Sequence, residues 1–304
     1  SWVVSAEEGG QKLVSFLQKR LGGSISLRSI KKQIEKGGCL INGRVEMFAS
    51  VTVWGKDEVV FYPCKPDQDN HILWEDENLL LFDKPPHLLS EPEGIVQTLA
   101  SHHPHLILVH RLDRETTGVI LLAKNGVIKD RLIEQFRHFS VNKNYLALVQ
   151  GRVDQAEGKA ESYLERGSPS SLGPVWKESR NSKGLYAYTA WARLESNPAA
   201  TLLRCCPKTG RTHQIRVHLA GMGHPIIGDR RYGCLHRQYS WAPRFFLHAE
   251  SLEFVHPMTQ QTICVRAPLP EDFRQAMQRL DLCFRVFGLS RHQLLEILSR
   301  LFLQ

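Results

Sequence analysis

Apolar residues recur at helical spacing at Leu13, Phe16 and Leu17, and Gly22 and Gly23 close the run, so a short helix is predicted within residues 10–20. A second helix is expected to start at Ser26, whose hydroxyl can accept from the free amide of Arg28 or Ser29. It buries Ile30 and Ile34, turns Arg28, Lys31, Lys32 and Lys36 outward, and ends at Gly37 and Gly38. Residues 39–41 and 44–45 read as two short strands around Asn42 and Gly43, a pair that accepts the positive φ of a tight hairpin turn. Residues 51–62 alternate into a further strand. The polar stretch 63–70, with Pro66 and Asp67, reads as a linker behind a small domain over 1–62.

From His71 onward the two periodicities mix. Strands are expected over 78–83, 118–123, 144–150 and 201–206, and helices over 128–137 and 212–220, which makes residues 71–280 an α+β domain without a strict βαβ repeat. Residues 165–184 are rich in Ser, Gly and Pro and read as an exposed loop. Residues 281–304 carry Phe284, Phe287, Leu294, Leu295, Leu298 and Leu301, the wide apolar face of a C-terminal helical tail.

Composition narrows the class of partner. With 42% hydrophobic and 23% charged residues the chain is globular, and a net charge of +8 favours a polyanion, because each phosphate neutralised by Lys or Arg releases condensed counterions. No stretch approaches the roughly 20 apolar residues that span a bilayer, and residues 1–10 lack the basic and apolar regions of a signal peptide. Seven cysteines, an odd number without C-x-x-C spacing, suit neither a disulfide framework nor a zinc ribbon. A reducing cytoplasm and a nucleic-acid partner are expected. Residues 201–244 hold eight Lys and Arg against one acid, Asp229, which favours an RNA groove there.

The chemistry concentrates at residues 110–118, reading HRLDRETTG, where Asp113 stands between Arg111 and Arg114. A carboxylate among guanidinium groups favours its ionised form, which suits a nucleophile or electrostatic stabiliser better than a general acid. Taken alone, such a cluster is more often a structural ion pair.

The longer string HRLDRETTGVILLAKN, residues 110–125, is closely similar to the active-site motif of the ribosomal large-subunit class of pseudouridine synthases, which modify uridines in ribosomal and transfer RNA. Lys143-Asn144-Tyr145, GRTHQIRVHL at 210–219 and LHAESLEFVHP at 247–257 agree with that family in kind and order, so the resemblance covers about residues 72–275. It implies a mixed, largely antiparallel sheet flanked by helices. It also implies Asp113 as the catalytic carboxylate, Tyr145 as the ring packed on a flipped uracil, Arg216 as the cation paired with the aspartate, and Ile215 as pocket lining. An aromatic face replaces stacking lost when a base leaves its helix. Arg111 would fill the vacated space or grip a phosphate, its alternative being a plain ion pair with Asp113. Arg114, Arg211 and His213 are expected to contact RNA. One departure stands in residues 83–89, DKPPHLL, where Pro86 and His87 replace the family's Ala-Gly and remove a glycine's backbone freedom.

Residues 1–62 resemble the small RNA-binding module of the fourth protein of the small ribosomal subunit, which implies RNA contacts from Arg28, Lys31 and Lys32 and tilts the target towards large-subunit ribosomal RNA over transfer RNA. No Gly-x-Gly-x-x-Gly or phosphate-loop pattern is present, and the histidines lack H-E-x-x-H spacing, so neither a nucleotide cofactor nor a metal is expected. Two competitors are kept: an RNA-binding or assembly protein without catalysis, and a metal-dependent nuclease.

Overall fold

The computed structural model describes residues 1–22, 26–35, 38–61, 71–167, 175–179, 183–233 and 237–282. The expected linker over 63–70 and residues 283–304 of the expected tail lie outside the described residues. The chain divides into two compact units, Ser1–Asn70 with His236–Arg244, and His71–Leu235 with Phe245–Gln304.

The first unit runs β1 (Trp2–Val3), β2 (Gln11–Lys12), α1 (Leu13–Arg20), α2 (Leu27–Glu35), β3 (Cys39–Ile41), β4 (Arg44–Val45), β5 (Thr52–Val53) and β6 (Glu58–Phe61). Its strands order as β1-β6-β3-β4, with β2 paired to β5. Leu13, Phe16, Leu17, Ile30 and Ile34 are fully buried, the apolar faces of α1 and α2 sharing one core. Ser26 caps α2 by accepting the Ser29 amide at 3.2 Å, and the hairpin turn sets Asn42 and Gly43 at φ 51° and 73°.

Two expectations change here. Residues 10–12 do not enter the first helix, because Gln11 and Lys12 pair with Val53 and Thr52. The described part of the strand expected over 51–62 forms two strands instead of one, β5 and β6. Between β5 and β6, Asp57 donates its amide to the Trp54 carbonyl and accepts the Trp54 amide on Oδ2, and Lys56 turns at φ 77°.

The second unit begins with β7 (Ile72–Glu75) and β8 (Leu79–Lys84), followed by a single π-helical turn over Pro92–Val96 and the short α3 (Gln97–Leu99). It continues through β9 (Ile107–Leu108), β10 (Thr117–Ala123), α4 (Gly126–Arg137), β11 (Asn142–Gln150), β12 (Glu157–Arg166), β13 (Trp176–Glu178), β14 (Leu185–Ser196) and β15 (Ala200–Pro207). After α5 (Gln214–Gly221) come β16 (Leu247–Val255), β17 (Thr262–Arg266) and α6 (Glu271–Arg279). Among the described residues these strands form one eleven-stranded sheet, ordered β13-β12-β14-β15-β11-β16-β10-β8-β7, with β17 on β16 and β9 on β10. Among the described pairings only β10 and β16 run parallel. The sheet is therefore mixed and largely antiparallel, with helices packed on it.

The unbroken apolar runs of β8 and β10 follow from burial on both faces. Leu79, Leu81, Val119 and Leu121 pack with Ile128 and Leu132 of α4, whereas Leu80, Phe82, Ile120 and Leu122 pack with Ile95, Leu99 and Leu112. Asn125 caps α4, accepting the Ile128 amide at 3.0 Å. The stretch 165–184 is not a plain loop. Glu165 and Arg166 end β12, and Trp176–Glu178 is a strand paired with Arg166, Glu165 and Leu164. Among the described cysteines, Cys39, Cys205, Cys206 and Cys264 take part in no disulfide.

Candidate active site

Asp113 lies in the turn between β9 and β10, and the neighbouring chain holds that turn rigidly. Ser90 Oγ donates to the Leu112 carbonyl at 2.9 Å and accepts the Leu112 amide at 3.1 Å, fixing the residue before Asp113. On its other side the Thr116 amide donates to the Asp113 carbonyl at 3.0 Å. Gly118 then enters β10 at φ 105°, and a Cβ there would stand 2.1 Å from the Ala249 carbonyl oxygen. Only glycine permits this close parallel pairing with β16.

Lys84, fully buried at the end of β8, supports the same turn by donating to the carbonyls of Pro85 (3.0 Å), Leu88 (2.9 Å) and Arg114 (3.0 Å). The departure at Pro86-His87 falls in this loop. His87 occupies φ 66°, the left-handed region a glycine enters freely, and its amide donates to the Arg114 carbonyl at 2.8 Å. The loop thus keeps a glycine-like conformation with a histidine in it.

The cation that grips Asp113 comes from a distant helix. Arg216 on α5 donates Nη1 to Asp113 Oδ2 at 2.9 Å, while its Nε and Nη2 bond Asp229 Oδ2 at 2.7 Å and Oδ1 at 3.0 Å. Asp229 also accepts the amides of Arg231 (3.0 Å) and Tyr232 (3.2 Å), so the turn after α5 orients the carboxylate. The Arg216 guanidinium lies between two rings, 4.9 Å from Tyr232 and 4.3 Å from Phe245. Burial works against its charge, but the paired bond to Asp229 and the Asp113 carboxylate outweigh burial, so its pKa is raised and it stays a cation.

The two carboxylate oxygens of Asp113 thus differ in surroundings. Oδ2 is pinned by Arg216, whereas Oδ1 takes no hydrogen bond from the described residues and faces His213 Nε2 at 4.0 Å. His213 begins α5 in the left-handed region at φ 57°, which is why the helix starts at Gln214 and not at the expected Thr212. Its Nδ1 shares a 2.7 Å hydrogen bond with the Tyr232 hydroxyl, and burial pushes its pKa down to about 4, leaving it neutral at physiological pH.

Tyr145 on β11 packs against two apolar clusters, one holding Ile215 of α5 and the other Leu112 beside Asp113. Burial, and then the Asp113 charge, raise its hydroxyl pKa, so the phenol keeps its proton. His110 is also held neutral: burial lowers it to about 3, and its Nε2 accepts the Leu121 amide at 3.0 Å.

Asp113, Arg216, Ile215, Tyr145 and His213 therefore gather in one place, while other expected contacts sit apart. Arg111 pairs with Glu91 at 3.0 Å and not with Asp113, the alternative considered for it, and its side chain is 73% exposed. Arg114 donates Nε to the His87 carbonyl at 3.3 Å, and Arg211 donates Nε to the Tyr186 carbonyl at 3.0 Å. Arg28 and Lys31 are exposed on α2 of the first unit, and the Lys32 side chain lies outside the described residues. Sequence reasoning missed the roles of Asp229, Tyr232, Phe245 and Ser90. The one available signal was Asp229, the lone acid of a basic stretch. Among the described residues no three His, Cys, Asp or Glu side chains cluster as metal ligands.

Residues 78–221 match the family model described as RNA pseudouridylate synthase. The chain is 32% identical to the ribosomal large subunit pseudouridine synthase C of Escherichia coli (strain K12), over 91% of this chain and 95% of that protein. It is 35% identical to the protein of the same name from Yersinia pestis, over 91% and 94%. Among solved structures, human RNA pseudouridylate synthase domain containing 4 superposes with a TM-score of 0.60 at 28% identity, over 71% of this chain and 95% of that one. Human RNA pseudouridylate synthase domain containing 1 gives 0.59 at 25% identity, over 75% and 94%. Similarity across nearly the whole length, on a sheet these structures share, means that the chain belongs to the RNA pseudouridine synthases, isomerases that turn uridine into pseudouridine within RNA.

Proposed function

We propose that Asp113 is the catalytic carboxylate and that the substrate is large-subunit ribosomal RNA, modified in the cytoplasm. The observation that carries the catalytic assignment is the division of the carboxylate, with Oδ2 fixed by Arg216 and Oδ1 left for the substrate. The net reaction breaks the bond from uracil N1 to ribose C1′, forms one from C5 to C1′, moves a proton off C5 and places one on N1. Asp113 Oδ1 stabilises or attacks the electron-poor centre formed as the first bond breaks. Arg216 keeps that oxygen aimed, and its own charge is balanced by Asp229, so the pocket retains negative charge for the reacting ring. Tyr145 offers its ring to the flipped uracil and, being protonated, can donate a hydrogen bond but not act as a base. His213, neutral, lines the same pocket.

The ribosomal target rests on the named relatives and on the exposed Arg28 and Lys31 of the first unit. The test uses transcripts carrying tritium at uridine C5. Wild-type protein is expected to release tritium from large-subunit ribosomal RNA and Asp113→Asn to release none. Release from transfer RNA alone would move the target, and equal release by Asp113→Asn would remove Asp113 from the chemistry.

A further inference from the structure

Lys143 and Arg211 form a second cationic centre in the catalytic unit. Lys143, two residues before Tyr145, directs Nζ at the carbonyls of Lys208 (3.3 Å) and Thr209 (3.0 Å). Arg211, two residues before His213, spends Nε on the Tyr186 carbonyl and its backbone amide on Gln214 Oε1 at 3.0 Å. Gly210 lies between them, and a Cβ on it would stand 3.9 Å from Lys143 Nζ. Neither cation has a carboxylate partner among the described residues. An ammonium has three donors and a guanidinium five, so donors remain on both.

Two like charges held close without an acid are unfavourable unless an anion joins them. The strain registers on Lys143, whose pKa burial and then the Arg211 charge push down to about 8. The other groups that bear on Lys143 do not relieve it: His110 is neutral, and the Tyr145 phenol keeps its proton. Asp113 and Asp229 are both engaged by Arg216. The anion that this enzyme class must accept beside Asp113 is the backbone of its RNA.

We propose that Lys143 and Arg211 together hold one RNA backbone phosphate at a nucleotide adjoining the uridine presented to Asp113. This rests on the catalytic reading above. A bound phosphodiester, with one negative charge, offsets the repulsion between the two cations.

The test measures binding of the full chain to a fluorescein-labelled single-stranded uridine 12-mer as potassium chloride is varied at pH 7. Lys143→Met and Arg211→Met are each expected to weaken binding and to lower the slope of log affinity against log salt by about 0.7, the value for one single-strand phosphate. The double variant should lose no more than that same single step, because the phosphate counts once and is held only by the two cations together, and Lys143→Arg should keep the wild-type slope. Between pH 7 and 9 the wild-type affinity should fall as Lys143 loses its proton, and that of Lys143→Arg should not. Unchanged slopes in both single variants, or two separate steps in the double variant, would overturn the proposal. Should Lys143→Met fail to fold, the partly exposed Arg211→Met decides. Failure of the catalytic reading is separate, showing as wild-type protein that makes no pseudouridine.

Discussion

Replacing Asp229 with Asn should damage stability and turnover together, whereas replacing Asp113 with Asn should abolish turnover and spare stability. The asymmetry follows from how Arg216 divides its bonds. Its side chain is 6% exposed and that of Asp229 1%, so this is a buried pair, and breaking such a pair costs about 3–5 kcal/mol. The amide side chain of Asp229→Asn would still present an oxygen to the Arg231 and Tyr232 amides, and Arg216 would keep Asp113, so the low end, about 3 kcal/mol, applies. For a unit of this size that is a fall in Tm of about 6–12 °C. Freed at Nε and Nη2, the guanidinium no longer aims Nη1. Loss of one charge-assisted bond, about 1.5–3 kcal/mol, predicts a kcat lower by about 10- to 100-fold. In Asp113→Asn the Arg216–Asp229 pair stays intact, so Tm should move by no more than about 3 °C, the equivalent of roughly 1 kcal/mol. Calorimetry and tritium release measure both quantities on the same samples. Wild-type Tm and kcat in Asp229→Asn, or equal destabilisation by both variants, would refute the reasoning.

The other expectations concern different parts of the unit. Gly118→Ala should cost more than about 3 kcal/mol and reduce soluble yield, since the added Cβ meets the Ala249 carbonyl at 2.1 Å in a left-handed backbone; thermal melts check it. Arg111→Ala should change Tm little, because its exposed pair with Glu91 contributes about 0–1 kcal/mol, yet should weaken RNA binding in an anisotropy titration. Burial pushes the pKa of His218 down to about 4, below its unfolded value near 6.5. The unfolded chain therefore takes up the proton first, so stability is full above about pH 6.5 and declines as pH falls towards 4. His218→Gln should flatten that decline in denaturant titrations.

The residues proposed for the reaction centre could be picked out because they sit in contiguous strings, Asp113 in HRLDRETTG and Arg216 in GRTHQIRVHL. Strong apolar runs made β8 and β10 readable, since burial on both faces leaves almost no polar interruption, and the shorter runs 146–149 and 202–203 marked β11 and β15. The strand β12 was missed because, reading EGKAESYLER, it buries only Leu164 completely and shows no apolar alternation. Its pairing with β14 supplies the order that its composition does not signal. Asp229 was visible as a lone acid, but its partner Arg216 is a helix and a turn away, and nothing local indicates that one guanidinium serves two carboxylates. The partner of Arg111 was not readable either: the alternative of an ion pair with Asp113 rested on nearness in sequence, whereas Glu91, 20 residues earlier and in another loop, reaches the Arg111 guanidinium.

The most direct test deletes the gene in its own host, maps pseudouridines across total RNA, and restores either wild type or Asp113→Asn. The account predicts that specific pseudouridines in large-subunit ribosomal RNA vanish and return only with wild type. An unchanged map, or full restoration by Asp113→Asn, would contradict it.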